Sequence, residues 1–167
     1  MIAFGDCIGP SGILAQARPV VAYTVSGGPS FYRLPELGHG TGFTGSGSFH
    51  WRRRRPLQPQ IGLTIWSKVV DVQAGPFTSV ETKHGLVPEI GMRLAGAGSV
   101  VRPYVAAGGG FLISFGGLRS GWVLDASTGI DWHLQGRWSI RTDARLRSVR
   151  PFAGRTLDAS LGLGWGW

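Results

Sequence analysis

The sequence predicts an all-β fold: a single eight-stranded, antiparallel, up-and-down transmembrane β-barrel with a polar interior filled by side chains. Three observations carry that prediction. From Val20 onward apolar and polar residues alternate with a period of two, and clusters of Gly, Pro, Ser or Arg interrupt the alternation at short intervals. One face of the alternating segments carries no charge, while the other carries a balanced set of both signs. Most tryptophans fall at the same end of successive segments once these are threaded up and down.

Each expected strand shows the same two faces. Span 20–32 sets Val21, Tyr23 and Val25 on the apolar side, and span 41–51 sets Phe43, Phe49 and Trp51 there, opposite Thr44, Ser46 and Ser48. Span 60–67 places Ile61, Leu63 and Ile65 against Thr64; span 85–95 places Ile90, Met92 and Leu94 against Glu89 and Arg93. Span 101–115 carries Val105, Ala107, Phe111, Ile113 and Phe115 opposite Arg102 and a run of glycines. Span 121–133 opposes Trp122, Leu124, Ala126, Ile130 and Trp132 to Asp125, Ser127 and Asp131. Span 137–148 opposes Trp138, Ile140, Ala144 and Leu146 to Arg141, Asp143, Arg145 and Arg147. The last, 156–167, runs Leu157, Ala159, Leu161, Leu163, Trp165, Trp167 opposite Asp158 and three glycines.

Alternation does not say which face is inside, because a soluble barrel would bury the apolar one. Small residues settle it. Ala106, Gly108, Gly110, Gly162, Gly164 and Gly166 crowd the polar side, as a confined lumen requires if it must also hold long arginines. The expected interior charge network is Glu89, Arg93, Arg102, Asp125, Asp131, Arg141, Asp143, Arg145, Arg147 and Asp158. Of 17 basic and nine acidic residues, five of each belong to this set, so the entire +8 net charge is expected in turns, loops and the N-terminal segment. Buried charges must pair, so this network reads as a structural plug and the barrel as closed to flow.

The membrane-interface girdle is expected at Trp51, Trp132, Trp138, Trp165 and Trp167 at one end, with Trp122 and Phe115 at the other. Connections 33–40, 68–84, 116–120 and 149–155 then fall outside, and 52–59, 96–100 and 134–136 on the periplasmic side, where 52–59 is long for its place. Segment 68–84 is the expected contact hairpin. Arg33, Lys68, Lys83, Arg150 and Arg155 of these loops are expected to meet lipid phosphates.

The alternation Leu157, Ala159, Leu161, Leu163, Trp165 up to an aromatic last residue, Trp167, resembles the small eight-stranded outer-membrane barrels of the OmpA and OmpX type. So do the phrases Arg102-Pro-Tyr-Val-Ala-Ala-Gly-Gly-Gly and Gly136-Arg-Trp-Ser-Ile-Arg; the resemblance covers 20–167. It implies an outer-membrane, multi-pass barrel of a Gram-negative envelope, inserted by the barrel assembly machinery reading Leu163, Trp165 and Trp167. Trp stands where that family usually ends in Phe, and the peptidoglycan-binding domain of the full OmpA-type proteins is not expected after the barrel.

Two units are expected: 1–17, a leader remnant or incomplete signal peptide, and the barrel domain 18–167. Residues 1–17 lack a basic opening and their apolar run is broken by Gly9, Pro10 and Gly12, but Ala15-Gln16-Ala17 matches a cleavage site, so the translation start is expected upstream. Cys7 is the single cysteine, which excludes an internal disulfide framework, and Phe4-Gly5-Asp6 before it is a poor lipoprotein site.

Arg52-Arg53-Arg54-Arg55 beside Trp51 is expected among anionic phospholipid headgroups, and no nucleic-acid partner is expected. His39, His84 and His133 are too scattered for a metal site, and no cofactor is expected. The expected role is envelope stabilisation or surface interaction by a monomer through its external loops, in contact with lipopolysaccharide outside and phospholipid inside. Two alternatives stand beside it. A lipid-A deacylase or acyltransferase would draw on Ser48 with His50, or Asp131 with His133, although the order of Ser48 and His50 reverses the deacylase pattern; a soluble barrel would hold a hydrophobic ligand at Phe111, Ile140 and Leu161.

Overall fold

The computed structural model describes residues 20–34, 38–52, 56–74, 77–115, 119–134, 137–150 and 154–166. Its strands are β1 (Val20–Leu34), β2 (Gly38–Arg52), β3 (Leu57–Ala74), β4 (Phe77–Ala95), β5 (Val101–Phe115), β6 (Gly121–His133), β7 (Trp138–Val149) and β8 (Gly154–Trp165). Each pairs antiparallel with the next, and β1 pairs with β8 to close the barrel. Closure leaves no sheet edge within the wall, which is what allows β-strands to cross a bilayer.

Two ladders are interrupted where the chain has proline. The β1–β8 register skips Gly28-Pro29 and the β4–β5 register skips Val87-Pro88. Proline has no N–H to give, so the ladder opens there and resumes in the same register beyond it.

The largest departure from the sequence reading is at β3 and β4. Spans 60–67 and 85–95 were too short, because the two strands continue to Ala74 and begin at Phe77, still in register. The pairing runs on from Val69↔Thr82 to Ala74↔Phe77, so the expected contact hairpin 68–84 is a two-stranded ribbon continuous with the wall strands. The same extension shortens the other end. Leu57 and Pro59 already pair with Leu94 and Met92, so the periplasmic connection from Arg52 is shorter than 52–59 and no longer anomalous for its side. The leader 1–17, Arg53–Arg55 and Trp167 lie outside the described residues.

All apolar-face residues in the described strands point away from the lumen: Val25, Phe43, Ile65, Ile90, Trp122, Leu161 and their neighbours are exposed on the outer wall. The inverted, soluble arrangement is excluded by the same fact, since Phe111 and Leu161 face outward and cannot line a cavity.

Candidate functional site: the lumen and the two rims

The lumen is divided along its axis. From the periplasmic end inward, Asp131 accepts from Arg93 and, at 2.8 Å, from Arg141 Nε. Arg93 is completely buried and lies with its guanidinium 3.8 Å from the centre of the Tyr104 ring, while Arg141 lies 5.1 Å from it. Tyr104 Oη donates to Asp143 at 2.5 Å, and Asp143 lies 3.6 Å from Arg145 Nε. Arg145 and Arg147 then share Glu89 at 2.8 and 3.0 Å, one on each carboxylate oxygen. Arg147 continues to Thr64 at 2.9 Å and to Asp158, which also accepts from Ser30. Lys68 donates to Ser30 and closes the series 4.0 Å from Asp158. Charges of alternating sign thus run through the barrel, each held by partners from other strands.

Above Lys68 the interior changes character. Tyr32, Leu34, Trp66, Val87, Leu112, Val123 and Val149 form one buried apolar cluster inside the barrel at the hairpin end. Lys68 marks the boundary, its ammonium 5.4 Å from the Tyr32 ring and 5.7 Å from Trp66. The lumen is therefore filled in two ways, by ion pairs over most of its length and by an apolar cluster at its outer end.

Among the described residues, glycine makes room for each lumenal Tyr and Trp ring. Tyr32, Trp66 and Tyr104 stand directly across a strand pair from Gly40, Gly85 and Gly129. A Cβ on these glycines would come within 2.6 Å of Tyr32 Oη, 2.8 Å of the Trp66 indole and 2.7 Å of Tyr104 Oη. An aromatic ring laid over a bare backbone fills the space that a small barrel leaves beside a glycine.

The ten charged residues of the expected network all face this interior, eight of them joined in the series above. Arg102 and Asp125 are inside but outside the series: Arg102 Nε and Asp125 Oδ2 are buried without a hydrogen-bond partner. Sequence reasoning missed Lys68, Tyr104 and the apolar cap. Lys68, expected among lipid phosphates, is instead fully buried, because β3 does not end at 67 and its even-numbered residues keep facing inward. One unit of the +8 excess is consequently inside the barrel. The signal for Tyr104 was its parity with Arg102 and Ala106, and for the cap the parity of Trp66 and Leu112.

Around the outside, Trp51, Trp132, Trp138 and Trp165 gather at the end where the chain enters and leaves, with Tyr23 packed edge-to-face on Phe49 at 4.9 Å and 5.9 Å from Trp165. Arg137 stands 5.9 Å from the Trp165 ring. Trp122 packs on Phe111 at the opposite end, 5.4 Å between ring centres. Leu163 and Trp165 of the expected assembly signal are exposed on the outer wall. His50 and Asp131 are both buried in the lumen and Arg93 contacts each, His50 Nε2 at 3.4 Å; Ser48 faces the lumen from the same strand.

A closed antiparallel barrel with an apolar outer belt, aromatic girdles and a charged interior defines the class: this is a multi-pass transmembrane β-barrel protein of an outer membrane. No protein-family model matches the sequence, and no curated protein matches it. Among solved structures the fold is that of the neisserial surface protein A, at 14% identity over 88% of this chain and 97% of that one, with a TM-score of 0.71. OprG of Pseudomonas aeruginosa superposes with a TM-score of 0.61 at 14% identity, covering 90% of this chain and 97% of that one. Ail, the attachment invasion locus protein of Yersinia pestis, solved with the heparin analogue sucrose octasulfate, gives 0.53 at 14% identity over 87% and 98% of the two chains.

Proposed function

We propose that this barrel is a surface-interaction protein: a closed, envelope-stabilising wall that presents the β3–β4 ribbon to an external partner. The observation that carries the reading is the ribbon itself. β2 pairs with β3 only as far as Lys68, and β5 pairs with β4 only from His84 onward. Beyond those points β3 and β4 pair with each other to Ala74 and Phe77. Among the described residues, both outer edges of the ribbon lack a ladder partner. Two open edges of backbone donors and acceptors form a template onto which an extended segment of another protein adds as a strand. Val80, 67% exposed, and Val69, 45% exposed, offer apolar anchors there. The double closure of the lumen supports the same reading, because it leaves the rims, and no channel, as the working surfaces.

The test replaces residues 70–82 by a two-residue turn in the full chain and expresses it in outer-membrane-bearing cells beside the unaltered protein. Adhesion to immobilised extracellular proteins should be gained with the unaltered chain and lost with the clipped one, while detergent resistance and heat-modifiable mobility stay the same. Adhesion that survives the clip would sink the reading.

A further inference from the structure

We infer that the lumen holds one monovalent metal cation, of sodium or potassium size, on the carboxylate of Asp125. Asp125 is the interior acid that the ion-pair series leaves out. It lies directly opposite Arg147 across the β6–β7 pair, where opposite charges ordinarily join. Arg147 instead turns to Glu89, Asp158 and Thr64, and Arg145, the neighbouring inward residue of β7, is engaged by Glu89 and Asp143. Asp125 therefore forms no ion pair among the described residues, although it is only 8% exposed and its Oδ2 is buried with no hydrogen-bond partner.

The charges around it do not balance. From Asp143 to Lys68 the carboxylates are those of Glu89, Asp125, Asp143 and Asp158, while the cations are Lys68, Arg145 and Arg147, so one positive charge is missing. The lumen's remaining cation outside the series, Arg102, cannot supply it. Arg102 stands opposite Asp131, six residues along β6 from Asp125, which is roughly 20 Å of strand. A buried charge left without a partner is strongly destabilising, so the deficit calls for an ion from outside the chain.

The second observation is independent of charge. Asp125 lines, with Ser46, Ser48, Gln60, Glu89 and Arg145, a lumenal cavity of about 10 Å³, which gives one water-sized particle room for its centre. Bare backbone borders it: a Cβ on Gly108 would come within 3.3 Å of Asp125 Oδ2, and one on Gly62 within 3.9 Å of Glu89 Oε2.

The chemistry of the lining selects the occupant. A water molecule gives Oδ2 a hydrogen bond but leaves the charge. A proton removes the charge but leaves Oδ2 without a protein partner. A divalent ion draws on several carboxylate oxygens, and both of those on Glu89 are taken, one by Arg145 at 2.8 Å and the other by Arg147 at 3.0 Å. A monovalent cation asks for a single carboxylate oxygen, which Asp125 supplies, and for neutral oxygens, which Ser46, Ser48 and Gln60 carry into the same cavity. It completes the series of alternating charges.

The test is the rate of heat unfolding of the full chain, refolded in uncharged detergent and followed by gel mobility, in sodium, potassium or choline chloride at equal ionic strength. Choline is too large for the cavity and serves as the blank. The unaltered chain should unfold at least about threefold more slowly in sodium or potassium chloride than in choline chloride, with an effect that saturates as one-site binding does. The more effective metal identifies the ion. D125N should unfold at the same rate in all three salts and, in choline chloride, no faster than the unaltered chain, because it lacks the charge that the cation neutralises. Equal rates for the unaltered chain in the three salts overturn the proposal, and slowing by acid alone in choline chloride then assigns a proton to Asp125. A salt response retained by D125N overturns it too. If D125N does not refold, crystals of the unaltered chain grown with thallium(I) decide: an anomalous scattering peak between Asp125, Ser48 and Gln60 is expected, and its absence removes the site. None of these outcomes touches the hairpin reading, since clipping residues 70–82 leaves every lining residue in place.

Discussion

The two parts of the lumen close the same barrel by different physics. From Asp131 to Lys68 the space is filled by charges that demand particular partners at particular distances. From Lys68 outward it is filled by apolar side chains that need only volume and shape. A charge series is costly to break and specifies register, because one misplaced strand leaves several buried ions without partners. An apolar cap depends on volume and shape and so tolerates hydrophobic exchanges that keep both. The barrel thus has a directional segment that fixes which strand residues face each other and a non-directional one that seals the end facing the outside.

Breaking the directional part should have the largest effect. Asp131→Asn removes the charge on which both Arg93 and Arg141 depend, and a loss of about 3–5 kcal/mol is expected in urea unfolding from lipid vesicles. Leu112→Ala in the cap should cost about 2–4 kcal/mol by the cavity it leaves. Neither single variant should conduct ions in a planar bilayer, because the other segment still closes the lumen. Current through the Asp131→Asn/Leu112→Ala double variant would show that the two segments are redundant seals, whereas current through either single variant would show that one of them does nothing. The smallest effect is expected from Tyr104→Phe, which deletes the hydrogen bond to Asp143 but keeps the ring beneath Arg93; about 1 kcal/mol should be lost in the same unfolding measurement. A loss as large as that of Asp131→Asn would mean the hydroxyl, and not the stacked ring, couples the upper and lower ion pairs.

The outer wall and the rims teach the complementary lesson. Within the eight expected spans, strand parity made the outward apolar residues legible in the sequence, and with them the ten inward charges from Glu89 to Asp158. It failed where a strand ran further than its apolar pattern did. The segment beyond Ser67 was expected as a hairpin standing apart from the wall, and ending the wall strand there carried Lys68 from the interior to the lipid surface. The Arg33–Arg155 opposition was hidden for another reason. The two residues are separated by most of the chain and meet only where β1 closes on β8.

The sequence by itself determined that the chain is a β-barrel, which face of each strand is apolar, that the charges inside balance closely, and that the tryptophans share a rim. These follow from a period-two repeat, and a strand reports that period along its own length. Only the tertiary structure decided which acid meets which base, that Tyr104 bridges Asp143 to the Arg93–Asp131–Arg141 cluster, that an apolar cap borders Lys68, and that Arg33 stands opposite Arg155. Those are relations between strands, and they depend on the register at closure, which no single strand encodes.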